Sequence, residues 1–136
     1  MVRKYLFVSL VFALGLFGLY EVALEYGFLM LLWWYDIPMH IVGGVTLGFL
    51  ALWFFSAFEE RTPFRFPFSI SSLTLVAVFI GGVSWEIFEY HFELIGNPVF
   101  SYPVDTAKDL VMDTLGALIS LWAFFKVGKL ANQPAL

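Results

Sequence analysis

The sequence predicts an all-α integral membrane protein, a bundle of four transmembrane helices with both termini on the cytoplasmic side. Three observations carry that prediction. Of 136 residues, 61% are hydrophobic and only 13% are charged, against about 45–50% and 25% in a soluble domain. Seventeen Phe and five Trp are more than a water-soluble core of this size can hide, whereas contact with lipid lets the outside be apolar too. Finally, the apolar residues gather into four runs of about 20 residues, the length that crosses the ~30 Å hydrocarbon layer.

The first run covers residues 5–24, behind Arg3 and Lys4. A basic start before an apolar stretch also suits a secretory signal peptide. No clear small-x-small cleavage site follows, however, and aromatic-rich apolar sequence resumes at Tyr26, so the segment is expected to stay as a first span. Residues 25–35 either prolong it or form a short re-entrant or interfacial piece. Trp33, Trp34 and Tyr35 read as an aromatic belt at the water boundary.

A second span is expected over residues 38–58. Pro38 suits a first helical turn and Asp36 a position just ahead of it as N-cap. Glu59 to Arg65 form a polar turn, the third span covers residues 67–91, and Gly96, Asn97 and Pro98 break the chain. Asp105 then reads as the N-cap of a fourth span over residues 105–126. The tail from Lys129 is expected to lie outside the spans. No repeat, linker or low-complexity tract divides the chain, so residues 1–136 read as one transmembrane domain. Gly44 and Gly48 make a Gly-x-x-x-Gly spacing that lets helices approach closely. Packing within one chain weighs above a homo-oligomer formed through these two glycines.

Orientation follows from the basic residues, which mark the cytoplasmic side of short loops. Arg3 and Lys4, Arg61 and Arg65, and Lys126 and Lys129 share one side if there are four spans. A fifth span would break that agreement. The opposite loops hold Lys108 alone among Lys and Arg, and most of the acids: Glu21, Glu25, Asp36, Glu86, Glu89, Glu93, Asp105, Asp109 and Asp113. Both histidines, His40 and His91, fall there as well.

Depth makes this asymmetry informative. Counted from Asp105, Asp113 lies about 12 Å along its helix, and Glu86 is similarly deep. An ionised side chain near a membrane centre costs on the order of 2.5–3.5 kcal/mol, so the deep acids need partners, protons or a cation. Helical phase puts them on shared faces: Asp36 with His40, Glu86 with Glu89, and Asp105, Asp109 and Asp113 in one stripe. A bundle that turns three such faces inward builds a metal site. The candidate ligands are Asp36, His40, Glu86, Glu89, Asp109 and Asp113, with Asp105 assigned to capping and Glu93 to solvent. Oxygen-rich ligands with one imidazole favour a divalent ion among Mg²⁺, Mn²⁺, Fe²⁺ and Ca²⁺, with Zn²⁺ next. Each residue also has a plainer use. Asp36 can cap, His40 can be a hydrogen-bonded interior histidine, Glu86 can be a protonated acid bonded to a neighbouring helix, and Lys108 can pair with Asp105 or Asp109. His91 and Tyr90 suit the interface.

The absence of cysteine excludes disulfides, a thiol nucleophile, thiolate metal sites and iron–sulfur clusters. A net charge of −4 without a basic run argues against nucleic acid as a partner. Membrane lipid is the expected one.

The run Asp36-Ile-Pro-Met-His40-Ile-Val-Gly43-Gly44, the run Trp85-Glu86-Ile-Phe-Glu89, and Asp105, Asp109 and Asp113 followed by Gly116-Ala117 together resemble the VanZ-like group of small bacterial membrane proteins. They are more similar still to an uncharacterised relative of that group. The likeness covers residues 36–117. It places Glu86 or Glu89 at the family's acidic position and Asp109 or Asp113 at its last aspartate, and it departs in having Asp113 where Asn is common and in an extra Glu. It implies a bacterial or archaeal cell membrane and no particular reaction.

Three functions stay open on these residues. One is a metal site, extending to a metal-dependent enzyme acting on a lipid or lipid-linked group. Another is a proton or cation relay, for which the cytoplasmic halves of the spans offer only hydroxyls such as Ser9, Thr46 and Ser120. The third is a hydrogen-bonded network that only fixes the bundle.

Overall fold

In the computed structural model, which describes residues 2–92 and 101–131 with side chains as far as residue 127, the described residues are helical without strands. The helices are α1 Arg3–Tyr26, α2 Phe28–Leu31, α3 Asp36–Arg61, α4 Ile70–His91 and α5 Tyr102–Ala131. Four of them, all but the single turn α2, are long and apolar enough to cross a membrane. Even α4, with 22 residues, extends roughly 33 Å at 1.5 Å per residue. The protein is a multi-pass membrane protein.

The helix ends follow from local chemistry. Gly27, at φ 67°, takes the left-handed conformation that a side chain disfavours and returns its N–H to the Ala23 carbonyl. This closes α1 two residues after Glu25 and sets off the one-turn α2. Tyr35 is buried, and its hydroxyl donates to the Leu19 carbonyl at 2.9 Å, tying the connection back to α1. The next helix starts on Asp36 itself, with Tyr35 as N-cap. Asp36 is therefore a helical residue and not the cap that the sequence suggests. Pro38, third in α3, is harmless there, because the first N–H groups of a helix have no intrahelical partner. Arg65 folds back over the far end of α3, its guanidinium donating to the carbonyls of Glu59 and Thr62. Ser69 caps α4, its hydroxyl accepting from the Ser72 N–H at 3.1 Å, so that the helix begins at Ile70, three residues after the start at residue 67 that the sequence suggests. For α5, the Ser101 carbonyl accepts from Val104 and Asp105. That helix begins at Tyr102, and Asp105 lies in its first turn. The sequence assignment of Asp105 to the cap is therefore wrong.

Central to the bundle is α3, which packs on α5, α1 and α4, while α4 and α5 also meet. Tyr5, Val45, Phe49, Leu52 and Leu121 form a buried apolar cluster. The outward faces carry large exposed apolar side chains, such as Phe7, Leu14, Phe17, Phe79, Ile80 and Trp122, as a lipid-facing surface requires.

Small residues let α3 and α5 touch. A Cβ added at Gly44 would overlap the Asp113 backbone, and one at Gly48 would overlap the Ser120 hydroxyl. Reciprocally, a Cβ at Gly116 would strike the backbone of Ile41, Val45 and Gly44. The Gly44/Gly48 seam is thus filled from within the chain. On α4, Gly82 leaves room for the Asp113 carboxylate, which a Cβ there would meet at 2.6 Å. The tight crossing sets one end of α3, α4 and α5 into a polar pocket above it.

Candidate metal centre

The pocket is built around His40. One turn along α3 from Asp36, its Nε2 lies 3.4 Å from Asp36 Oδ1 and 3.8 Å from Asp109 Oδ1. Its Nδ1 lies 3.4 Å from Asp113 Oδ1. The i, i+4 repeat of Asp109 and Asp113 aims both α5 carboxylates at the same ring. From α4, Glu86 and Glu89 close the third side. Two triads offer ligand atoms mutually within 4.8 Å: Asp36, His40 and Asp109, and His40, Glu86 and Glu89. All six candidate ligands thus come together, Asp113 on the opposite ring nitrogen from Asp36 and outside both triads.

Side-chain exposure grades inward, from 25% at Asp36 and 17% at Lys108 to 6% at His40 and 3% at Asp109. The pocket therefore opens at the end of the bundle where α3 and α5 begin, and its floor is the glycine crossing at Gly44 and Gly116. Because α5 starts at Tyr102, Asp113 stands about 16 Å along it, deeper than a start at Asp105 implies.

Lys108 supplies the pocket's ammonium. Its Nζ is 2.6 Å from Asp105 Oδ1 and 3.3 Å from both Asp36 Oδ2 and Asp109 Oδ1. Asp105 is thus the lysine's partner. Among the described residues, five carboxyl groups besides Asp105 (Asp36, Glu86, Glu89, Asp109 and Asp113) gather around this one ammonium and one imidazole, an imbalance that repulsion resolves through protons or an added cation.

Two atoms mark where an added ligand fits. Glu86 and Asp109 are 4% and 2% exposed, and Glu86 Oε1 and Asp109 Oδ1 are buried without a hydrogen-bond partner among the described residues. The ion-pair neighbours of Asp109 Oδ1 among the described residues lie at 3.3 and 3.8 Å. Buried polar atoms almost always find partners, and a divalent ion satisfies bare carboxylate oxygens directly. The donor set fits such an ion.

The family model described as "Predicted membrane protein (DUF2238)" matches residues 3–129. The chain belongs to the DUF2238 family. No curated protein and no solved structure matches it. Membership agrees with the four apolar helices.

Thr106 is a site residue that the sequence does not announce. Its hydroxyl donates to Glu86 Oε2 at 2.7 Å, and the Tyr102 hydroxyl donates to the Glu86 backbone carbonyl at 3.0 Å. The signal is present in phase, since Thr106 lies three residues before Asp109 and seven before Asp113 on one helix face. Thr106→Val, close in shape, would leave both Glu86 oxygens without a hydrogen-bond donor. It is expected to lower stability by about 1–3 kcal/mol in chelator-treated detergent solution, with Thr106→Ser near wild type; thermal unfolding of the three proteins checks this. Glu21, Glu25 and His91 are exposed and belong to neither triad. Glu93, the Gly96–Asn97–Pro98 break and the tail beyond residue 131 lie outside the described residues. A cavity of about 630 Å³ at the opposite end of the bundle, bordered by Phe55, Glu59, Arg65 and Phe124, shares no residue with the cluster.

Proposed function

We propose that this protein is a membrane metalloprotein that holds a divalent cation in its carboxylate–histidine pocket, near the outer face, and acts there on a lipid or lipid-linked substrate. The observation that carries the proposal is Glu86 Oε1, a buried carboxylate oxygen beside His40 that has no hydrogen-bond partner among the described residues. The outward orientation rests on Arg3, Lys4, Arg61, Arg65, Lys126 and Lys129 gathering at the other end of a four-span chain. The same motifs support kinship with the VanZ-like group.

A bound divalent ion supplies Lewis acidity toward a phosphoryl or carbonyl oxygen. The chain's own groups do the rest. The ligands are drawn from Asp36, His40, Glu86, Glu89, Asp109 and Asp113, Thr106 orients Glu86, and a carboxylate of this group left unligated, such as Asp113, is placed to take a proton. The glycine floor argues for a pocket entered from one side over a relay through the bundle, because α3 and α5 meet there backbone to backbone.

Elemental analysis of the detergent-purified protein tests the first claim. A divalent metal is expected in near-stoichiometric amount, and resupplying it at 100 times its Kd to chelated protein should stabilise the fold by about 2.7 kcal/mol. Protein that neither retains a divalent ion nor is stabilised by one would remove the proposal. A survey of phospholipids and polyprenyl phosphates in mixed micelles, with and without the metal, then tests for a reaction.

A further inference from the structure

The two triads share His40 but differ in what already stands beside them. The aspartate half, Asp36 and Asp109, is braced by Lys108, whose ammonium lies 3.3 Å from a carboxylate oxygen of each and 2.6 Å from Asp105. The glutamate half contains Glu86 Oε1, buried and without a hydrogen-bond partner among the described residues, with Glu86 steadied through its other oxygen by Thr106. A divalent ion bonded to Asp109 Oδ1 at about 2.1 Å would sit no more than about 5.4 Å from the ammonium that the same oxygen faces. At that separation, in a site shielded from water, like charges repel strongly.

We infer that Lys108 is a built-in cation occupying the aspartate half, so that the pocket takes one divalent ion, held by His40, Glu86 and Glu89. Asp113 lies 3.4 Å from His40 Nδ1 and, with the ion on Nε2, would orient the imidazole. The six-carboxylate environment thus serves a mixed pair, one metal and one ammonium, in place of the two metals that its ligand count would otherwise admit. The same arrangement fixes the register of α5 on α3, because Lys108 spans from its own helix to Asp36.

This inference rests on the metal reading and is separable from it by stoichiometry. Mn²⁺ is the probe, titrated into the full chain in detergent and followed by electron paramagnetic resonance. Wild type is expected to bind one Mn²⁺ per chain with the spectrum of an isolated ion, and Glu86→Gln to weaken it by about 100-fold, as loss of a direct ligand should exceed the 10–100-fold of an outer-shell change. Lys108→Met and Lys108→Gln are expected to admit a second Mn²⁺, spin-coupled to the first, whereas Lys108→Arg keeps one. Two coupled ions in wild type would overturn the inference while leaving the metal site intact. So would a single ion of unchanged affinity in folded Lys108→Met or Lys108→Gln. If neither lysine variant folds, the wild-type stoichiometry and the Glu86→Gln loss still decide. Wild type that binds no Mn²⁺ at millimolar concentration, while holding no other divalent metal, overturns this inference and the metal reading together.

Discussion

Replacing His40 by alanine is expected to lower divalent-cation affinity by at least about 100-fold, the largest binding effect of any single change in the pocket. His40 is the one residue common to both triads, and its two ring nitrogens face Asp36 and Asp109 on one side and Asp113 on the other. Its removal takes away the sole nitrogen ligand in either triad and leaves three carboxylates without the group that separates them. Mn²⁺ titration of His40→Ala checks the affinity, and circular dichroism checks that the helices persist. Helix content should survive, because α3 is held by its glycine crossing and by the Val45, Phe49 and Leu52 cluster, both distinct from the ring. A folded His40→Ala protein that binds Mn²⁺ as tightly as wild type would place the ion elsewhere.

Much of this architecture can be read from the residues, and what cannot has identifiable causes. Four apolar runs separated by polar turns announce a four-helix membrane bundle, since lipid leaves a chain of this composition few other ways to satisfy its backbone. The spacings Asp36/His40, Glu86/Glu89 and Asp109/Asp113 put each pair on one helix face, which rests on local periodicity alone. Helix starts are harder. An aspartate near a break resembles a cap at both Asp36 and Asp105, yet the first helical residues are decided by Tyr35 and by the Ser101 carbonyl. These partners compete locally on nearly equal terms, and composition does not rank them.

Lys108 shows a different limit. Its pairing with Asp105 follows from i, i+3 spacing, but its reach to Asp36, seventy-two positions away, depends on how α5 docks against α3. No local pattern encodes that docking. Thr106 was likewise hidden among hydroxyls, several of which, Thr46, Thr74 and Thr114 among them, only bond back to the carbonyl one turn earlier. It is the partner across the bundle, Glu86, that sets Thr106 apart. Gly44 and Gly48 announce a close approach without naming the helix that makes it, and α5 supplies it through Gly116.

That crossing carries the second large effect. Gly116→Ala is expected to destabilise the protein by about 3 kcal/mol or more, at or above the upper end of ordinary overpacking. The added methyl would meet the Ile41 carbonyl, the Val45 nitrogen and the Gly44 carbonyl carbon. These are backbone atoms of a continuous helix that cannot turn aside as a flexible side chain would. Gly15→Ala in α1 makes the same chemical change where nothing lies within 4 Å. There the better helix propensity of alanine acts alone, a gain of up to about 1 kcal/mol. One substitution is thus predicted to have opposite signs at two positions, readable as shifts in thermal or denaturant-induced unfolding in detergent. The Gly116 change should also reach the pocket, because moving α5 away from α3 carries Asp109 and Asp113 away from His40. A folded fraction of Gly116→Ala is therefore expected to bind Mn²⁺ more weakly than wild type, whereas Gly15→Ala binds it equally well. Equal stability of the two alanine variants would mean that α3 and α5 do not cross at these glycines, and the floor of the pocket would then lie elsewhere.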